Sequence, residues 1–150
     1  LLFWYIAIPI LAPRLIPVSQ YLDVRSVLVV DSLDGRAPAV VVDRDINRNY
    51  TGSFVSTLRK IDETEGLILD WCPSGERTGI QYHADAPYPR LDLNWWMGSP
   101  PAVPCPIIPG TYQLRITWSV PTLFGMATLN KTVESLPFRV AAPINDPEAP

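Results

Sequence analysis

Between residues 111 and 120 the chain alternates strictly between apolar and polar side chains. Tyr112, Leu114, Ile116, Trp118 and Val120 hold one parity; Thr111, Gln113, Arg115, Thr117 and Ser119 hold the other. Successive side chains of a strand point to opposite faces, so five matches in a row predict a strand with one buried face. A second run covers residues 90–97. There Leu91, Leu93, Trp95 and Met97 oppose Arg90, Asp92, Asn94 and Trp96, which predicts another half-buried strand, with Trp95 facing the core and Trp96 facing out.

Other segments carry weaker strand signals, punctuated by turn residues. Residues 21–30 are rich in β-branched side chains and are followed by the turn Asp34-Gly35. Residues 39–42 form a second apolar strand, ending in a polar loop over 43–49. Residues 52–61 form a third, closed by Asp62-Glu63-Thr64-Glu65-Gly66. Residues 67–72 form a fourth, and Pro73-Ser74-Gly75 turns the chain again. Residues 80–83 read as a short edge strand, and 128–134 with 138–140 as a final pair. No stretch has helical periodicity. Seven to nine short strands at near-regular spacing predict an all-β fold, an antiparallel β-sandwich over residues 20–140. Residues 14–19 read as a linker, and residues 141–150 as a disordered Pro-rich tail.

The first 13 residues, LLFWYIAIPILAP, carry no charge. As a helix they would span about 20 Å, against about 30 Å for a bilayer's hydrocarbon core. Trp4 and Tyr5 suit an interfacial position, and no A-x-A cleavage site follows. The segment is therefore expected to reach a membrane, as an uncleaved anchor or a signal. The competing expectation is a buried N-terminal element of the domain.

Composition sharpens this picture in three places. Seventeen prolines in 150 residues break helices and mark short strands. Only 2 of the 12 basic residues are Lys, the arginines are scattered, and the net charge is −3, so nothing resembles a nucleic-acid footprint. Cys72 and Cys105 stand 33 positions apart and lie in no CxxC pair. They are either a disulfide or two buried thiols. The exported N-terminus favours the disulfide, which would contribute about 3–4 kcal/mol on the chain-entropy account.

Pro109-Gly110-Thr111-Tyr112-Gln113-Leu114 resembles the approach to the penultimate strand of immunoglobulin-like and fibronectin-type sandwiches. In those folds a turn delivers a Tyr whose hydroxyl ties back to the backbone. The resemblance covers about ten residues and implies an immunoglobulin-like sandwich. Leu114 stands where true immunoglobulin domains place their second core cysteine, so Cys72 and Cys105 are not that inter-sheet pair. They are expected to join a strand end to the loop before Pro109. The wider layout, an apolar anchor before a small Trp- and Pro-rich sandwich, resembles membrane-anchored envelope proteins of bacteria and their phages. That implies an extracytoplasmic location, in the periplasm or at the cell surface.

Catalytic chemistry finds little to work with. The one histidine, His83, lies in the polar segment Gln81-Tyr82-His83-Ala84-Asp85, and no GxSxG, P-loop or GxGxxG is present. Asp43-x-Asp45-x-Asn47-x-Asn49 begins like a calcium loop, but Arg48 sits where Gly is needed and Phe54 where the bidentate Glu belongs. No catalytic residue, metal site or cofactor is expected, and the chain reads as a non-enzymatic binding or structural module. Trp96, with Tyr88, Asp92 and Asn94, forms the candidate contact face for a protein or glycan partner, because an exposed Trp among polar groups stacks well; the alternative is that Trp96 covers the rim of the core or packs under the Pro100-Pro101 loop. Two alternatives are a carbohydrate-binding module using the same aromatics, and an architectural subunit of an envelope or virion assembly.

Overall fold

A computed structural model describes residues 18–32, 37–71, 75–87, 90–97, 108–122 and 127–141. The segment over residues 1–13 expected to reach a membrane, Tyr88, both cysteines and all but Ala141 of the expected tail lie outside these residues.

Nine strands are present among the described residues: β1 (Leu22–Val29), β2 (Ala39–Ile46), β3 (Tyr50–Asp62), β4 (Leu67–Asp70), β5 (Gly75–Tyr82), β6 (Arg90–Asp92), β7 (Gly110–Thr122), β8 (Ala127–Glu134) and β9 (Phe138–Val140). They form two antiparallel sheets. The smaller has the order β1-β2-β6, and the larger runs β4-β3-β7-β8. In the larger sheet β4 and β5 share one flank of β3, and β8 and β9 share one flank of β7, so it has four rows. The predicted all-β sandwich is the observed fold.

The alternation over residues 111–120 becomes the centre of the larger sheet. Tyr112, Leu114, Ile116, Trp118 and Val120 are all fully enclosed. Across from them Phe54 and Leu58 of β3 face the same way, and Leu22, Val24, Val40, Val42 and Ile46 of the smaller sheet close the core.

Three local devices shape this frame. Between Val24 and Ser26 the β1–β2 register shifts, so the buried parity of β1 switches from Leu22 and Val24 to Val27 and Val29. The bulge leaves Leu28 outside and aims Arg25 at Asp43 and Asp45, 2.6 Å from each. Gly66, at φ +71°, closes the β3–β4 turn in a backbone region that side chains disfavour. Between β8 and β9 the Ser135 hydroxyl accepts from the Leu114 N–H at 3.0 Å, while the Ser135 N–H donates to the Leu114 carbonyl at 2.8 Å. One residue thereby keeps the ladder satisfied across the interruption.

Two expected boundaries are corrected. The polar stretch over 43–49 is not a loop from its start, since β2 continues to Ile46. Asp43 and Asp45 point outward and Arg44 inward, which hid the continuing alternation behind a charged inward residue. The linker over 14–19 gives way at its end to a 3-10 turn, Val18–Gln20, whose Val18 packs against the core.

Candidate functional site

The strand expected over residues 90–97 stops after three residues. Among the described residues β6 pairs only with β2, through Ala39↔Asp92 to Val41↔Arg90, and a single helical turn, α1 (Leu93–Trp96), follows. Asp92 has the extended backbone of an N-cap, and its Oδ1 accepts from the Trp95 N–H at 2.9 Å. The Met97 N–H closes the turn on the Leu93 carbonyl, 2.9 Å away, and the Leu93 N–H donates to the Pro38 carbonyl at 2.8 Å.

This turn corrects the expected roles of the two tryptophans. Residues three apart share a helix face, so Leu93 and Trp96 both point into the sandwich, where Trp96 is only 4% exposed. Its ring lies 4.9 Å from Phe54 and 6.3 Å from Trp118, and its Nε1 is enclosed. Trp96 therefore presents no surface to a partner. Met97, also buried, meets the backbone of Gly75 so closely that a Cβ there would stand 2.4 Å from the Met97 carbonyl carbon. The turn thus plugs the open side of the sandwich, between edge strands β6 and β5.

Trp95 takes the outward place instead. The Arg77 guanidinium sits over its ring at 4.4 Å, and Arg77 Nε and Nη2 each donate to the Trp95 carbonyl at 3.2 Å. Phe54 stands 5.8 Å from the ring and Trp96 meets it edge-on at 5.1 Å. Half-buried and held on several sides, Trp95 lines an open cleft of about 640 Å³ with Ala37, Ala39, Arg90, Leu91, Asp92 and Asn94. Two of the sequence-derived contact residues, Asp92 and Asn94, thus converge on one cleft. Arg90, which alternation sets on the same outward face without singling it out, joins them, as does Trp95, which alternation places in the core. The run Asp-Leu-Asn-Trp-Trp did hold a cap signal, an Asp ahead of a short apolar turn.

A second hollow lies at the end of the larger sheet, whose long central strands β3 and β7 reach past the smaller one. Lys60, Leu69, Trp71, Glu63, Gly110 and Thr111 surround about 450 Å³, with Lys60 Nζ 4.8 Å over the Trp71 ring. Thr111 donates to Glu63, and that bond, with Arg139 nearby, holds the Glu63 carboxyl below its usual range. Beside it Leu67, Ile68 and Leu69 of edge strand β4 are 48%, 44% and 60% exposed.

At the opposite end Tyr50 stacks on Tyr82 at 4.6 Å, and Tyr21 meets Tyr50 edge-on at 6.1 Å. Arg44 lies 5.9 Å over Tyr82, and its enclosed Nη1 makes no hydrogen bond. Burial lowers the Arg44 pKa and pushes Tyr82 up to about 12. Tyr50 moves in the same direction for the same reason.

The four side chains of the rejected calcium pattern each bond within the protein. Asp43 and Asp45 bind Arg25, Asn47 Nδ2 donates to the Ser19 carbonyl, and Asn49 Oδ1 accepts from the Ala84 N–H. Among the described residues no three of His, Cys, Asp and Glu gather as metal ligands, and no helix is long and apolar enough to cross a membrane. Comparison with protein-family models, curated proteins and solved structures finds no match to this chain.

Proposed function

We propose that the chain is a non-enzymatic binding module, held outside the cytoplasm by its apolar N-terminal segment and built on an immunoglobulin- or fibronectin-type sandwich. The observation that carries the reading is the Trp95 cleft, where an aromatic and three polar side chains from β6 and the α1 turn border one opening. Strand order supports the fold type: the first, second and sixth strands share one sheet, while the third and seventh lie at the centre of the other. So does the Tyr112 hydroxyl, which donates to the Ile108 carbonyl four residues upstream at 2.6 Å.

A Cys72–Cys105 bridge is supported by the neighbours of the two cysteines. Trp71 meets the Tyr112 ring at 6.4 Å, and Ile108 accepts from the same tyrosine, so the two Cys-bearing segments depart from one side chain. A location outside the cytoplasm rests on the uncharged apolar run over residues 1–13 with its interfacial Trp4 and Tyr5.

Fractionation of cells expressing the chain, followed by mass spectrometry with and without reductant, tests the reading. Membrane-bound protein with a reducible Cys72–Cys105 link is the expected result. A soluble chain with two free thiols overturns the location and the bridge together. The architectural alternative, a subunit of an envelope or virion assembly, is favoured by the exposed apolar edge of β4, and predicts a stoichiometric complex instead of a ligand.

A further inference from the structure

We propose that the cleft beside Trp95 is a carbohydrate subsite that takes one pyranose ring of a glycan chain, an inference that rests on the binding-module reading. A pyranose has a flat face of C–H groups and a rim of hydroxyls. Its recognition needs an apolar plate of matching size and, around it, side chains that both donate and accept. The indole of Trp95 is the plate. It is set in place before any ligand arrives, by the Arg77 guanidinium at 4.4 Å, by two hydrogen bonds from Arg77 to its carbonyl, and by the Asp92 cap on its N–H. Immobilising the ring in advance removes an ordering cost that a free surface Trp would meet on binding.

The rim is complementary to hydroxyls. Arg90 donates only, Asn94 both donates and accepts, and Asp92 accepts through the oxygen not used by the cap. Ala37 and Ala39 contribute only methyl groups, which leaves the cleft open at about 640 Å³, within the range of small-ligand sites. A phosphate or other strong anion fits less well. Among the described residues lining the cleft Arg90 is the one cation, Arg77 is engaged with Trp95, and Asp92 places negative charge beside them.

The test uses the full chain, titrated separately with cellohexaose, chitohexaose, xylohexaose and mannohexaose, with binding read by tryptophan fluorescence and by amide chemical shifts. Saturable binding of at least one hexasaccharide is expected, with shifts centred on residues 90–97. Trp95→Ala should weaken that binding more than tenfold, Trp95→Phe several-fold and Asn94→Ala a few-fold. Because Trp95→Ala disturbs packing, Trp95→Phe and Asn94→Ala decide the matter once their melting curves match the parent. No binding of any of the four, or binding that both of these variants leave unchanged, overturns the proposal. A defined protein complex recovered from the envelope in the absence of sugar binding would discard the glycan and keep the binding module; neither one would discard both.

Discussion

Strand β7 and residues 90–97 start from the same kind of sequence and end as different structures. Both alternate apolar and polar side chains, yet β7 is a strand for 13 residues while the other segment leaves the sheet after Asp92. The difference lies in what each has for neighbours. β7 is paired on both sides, by β3 over residues 111–119 along one edge and by β8 and β9 along the other, so most of its backbone lies between two ladders. β6 is an edge strand with three paired residues. Beyond it the Leu93 N–H reaches the Pro38 carbonyl, and the backbone that follows is satisfied by the Asp92 cap and one helical turn. Alternation states which side chains share a face if a strand forms; it does not supply the strand beside it.

The same contrast explains what was legible. The β7 face, the β3–β4 turn and the closing pair β8 and β9 were readable because their alternation and turn residues agree with their final partners. The Arg25 bulge, the inward Arg44 and the α1 turn were not. Each depends on a contact distant in sequence: Asp43 and Asp45 for Arg25, Tyr82 for Arg44, and Phe54 and Trp118 for Trp96. For the site, Asp92 and Asn94 were found, since a surface polar residue beside a turn stays on the surface either way. Trp95 and Trp96 exchanged places, because a period of two and a period of 3.6 assign adjacent residues to opposite sides.

The largest expected effect separates those two tryptophans. Trp96→Ala removes a fully enclosed ring and should destabilise by about 3–5 kcal/mol in urea unfolding, matching Trp118→Ala in β7. Trp95→Ala should cost roughly 1–2 kcal/mol. The opposite ranking would restore the strand for residues 90–97. Gly75→Ala tests the docking of the turn, because its methyl group would collide with the Met97 backbone. A loss of about 1–3 kcal/mol is expected, without change in the β7 amide resonances.

Asp92→Ala should cost about 1 kcal/mol through the lost cap, and Asp92→Asn much less, since its amide oxygen also caps. A strand at that position would make both substitutions nearly silent. A last effect, confined to the alkaline range, is on the frame alone. Burial raises the Tyr82 pKa from 10.0 to about 12, so folding favours the neutral phenol. Its contribution is complete below pH 10 and is lost as pH climbs from 10 to 12. Thermal melts across that window should show stability falling, and Tyr82→Phe should reduce the slope. The increment from Asp92→Ala should not change over the same range, because the described part of the turn holds no tyrosine.

The exchange of Trp95 and Trp96 is tested most directly by their indole N–H resonances in ¹⁵N-labelled protein, assigned through Trp95→Phe and Trp96→Phe, in the presence of a soluble paramagnetic agent. The Trp96 signal should stay sharp and exchange slowly with water, while the Trp95 signal broadens as the agent is added. A broadened Trp96 beside a protected Trp95 would contradict the helical turn, and with it the cleft built on Trp95.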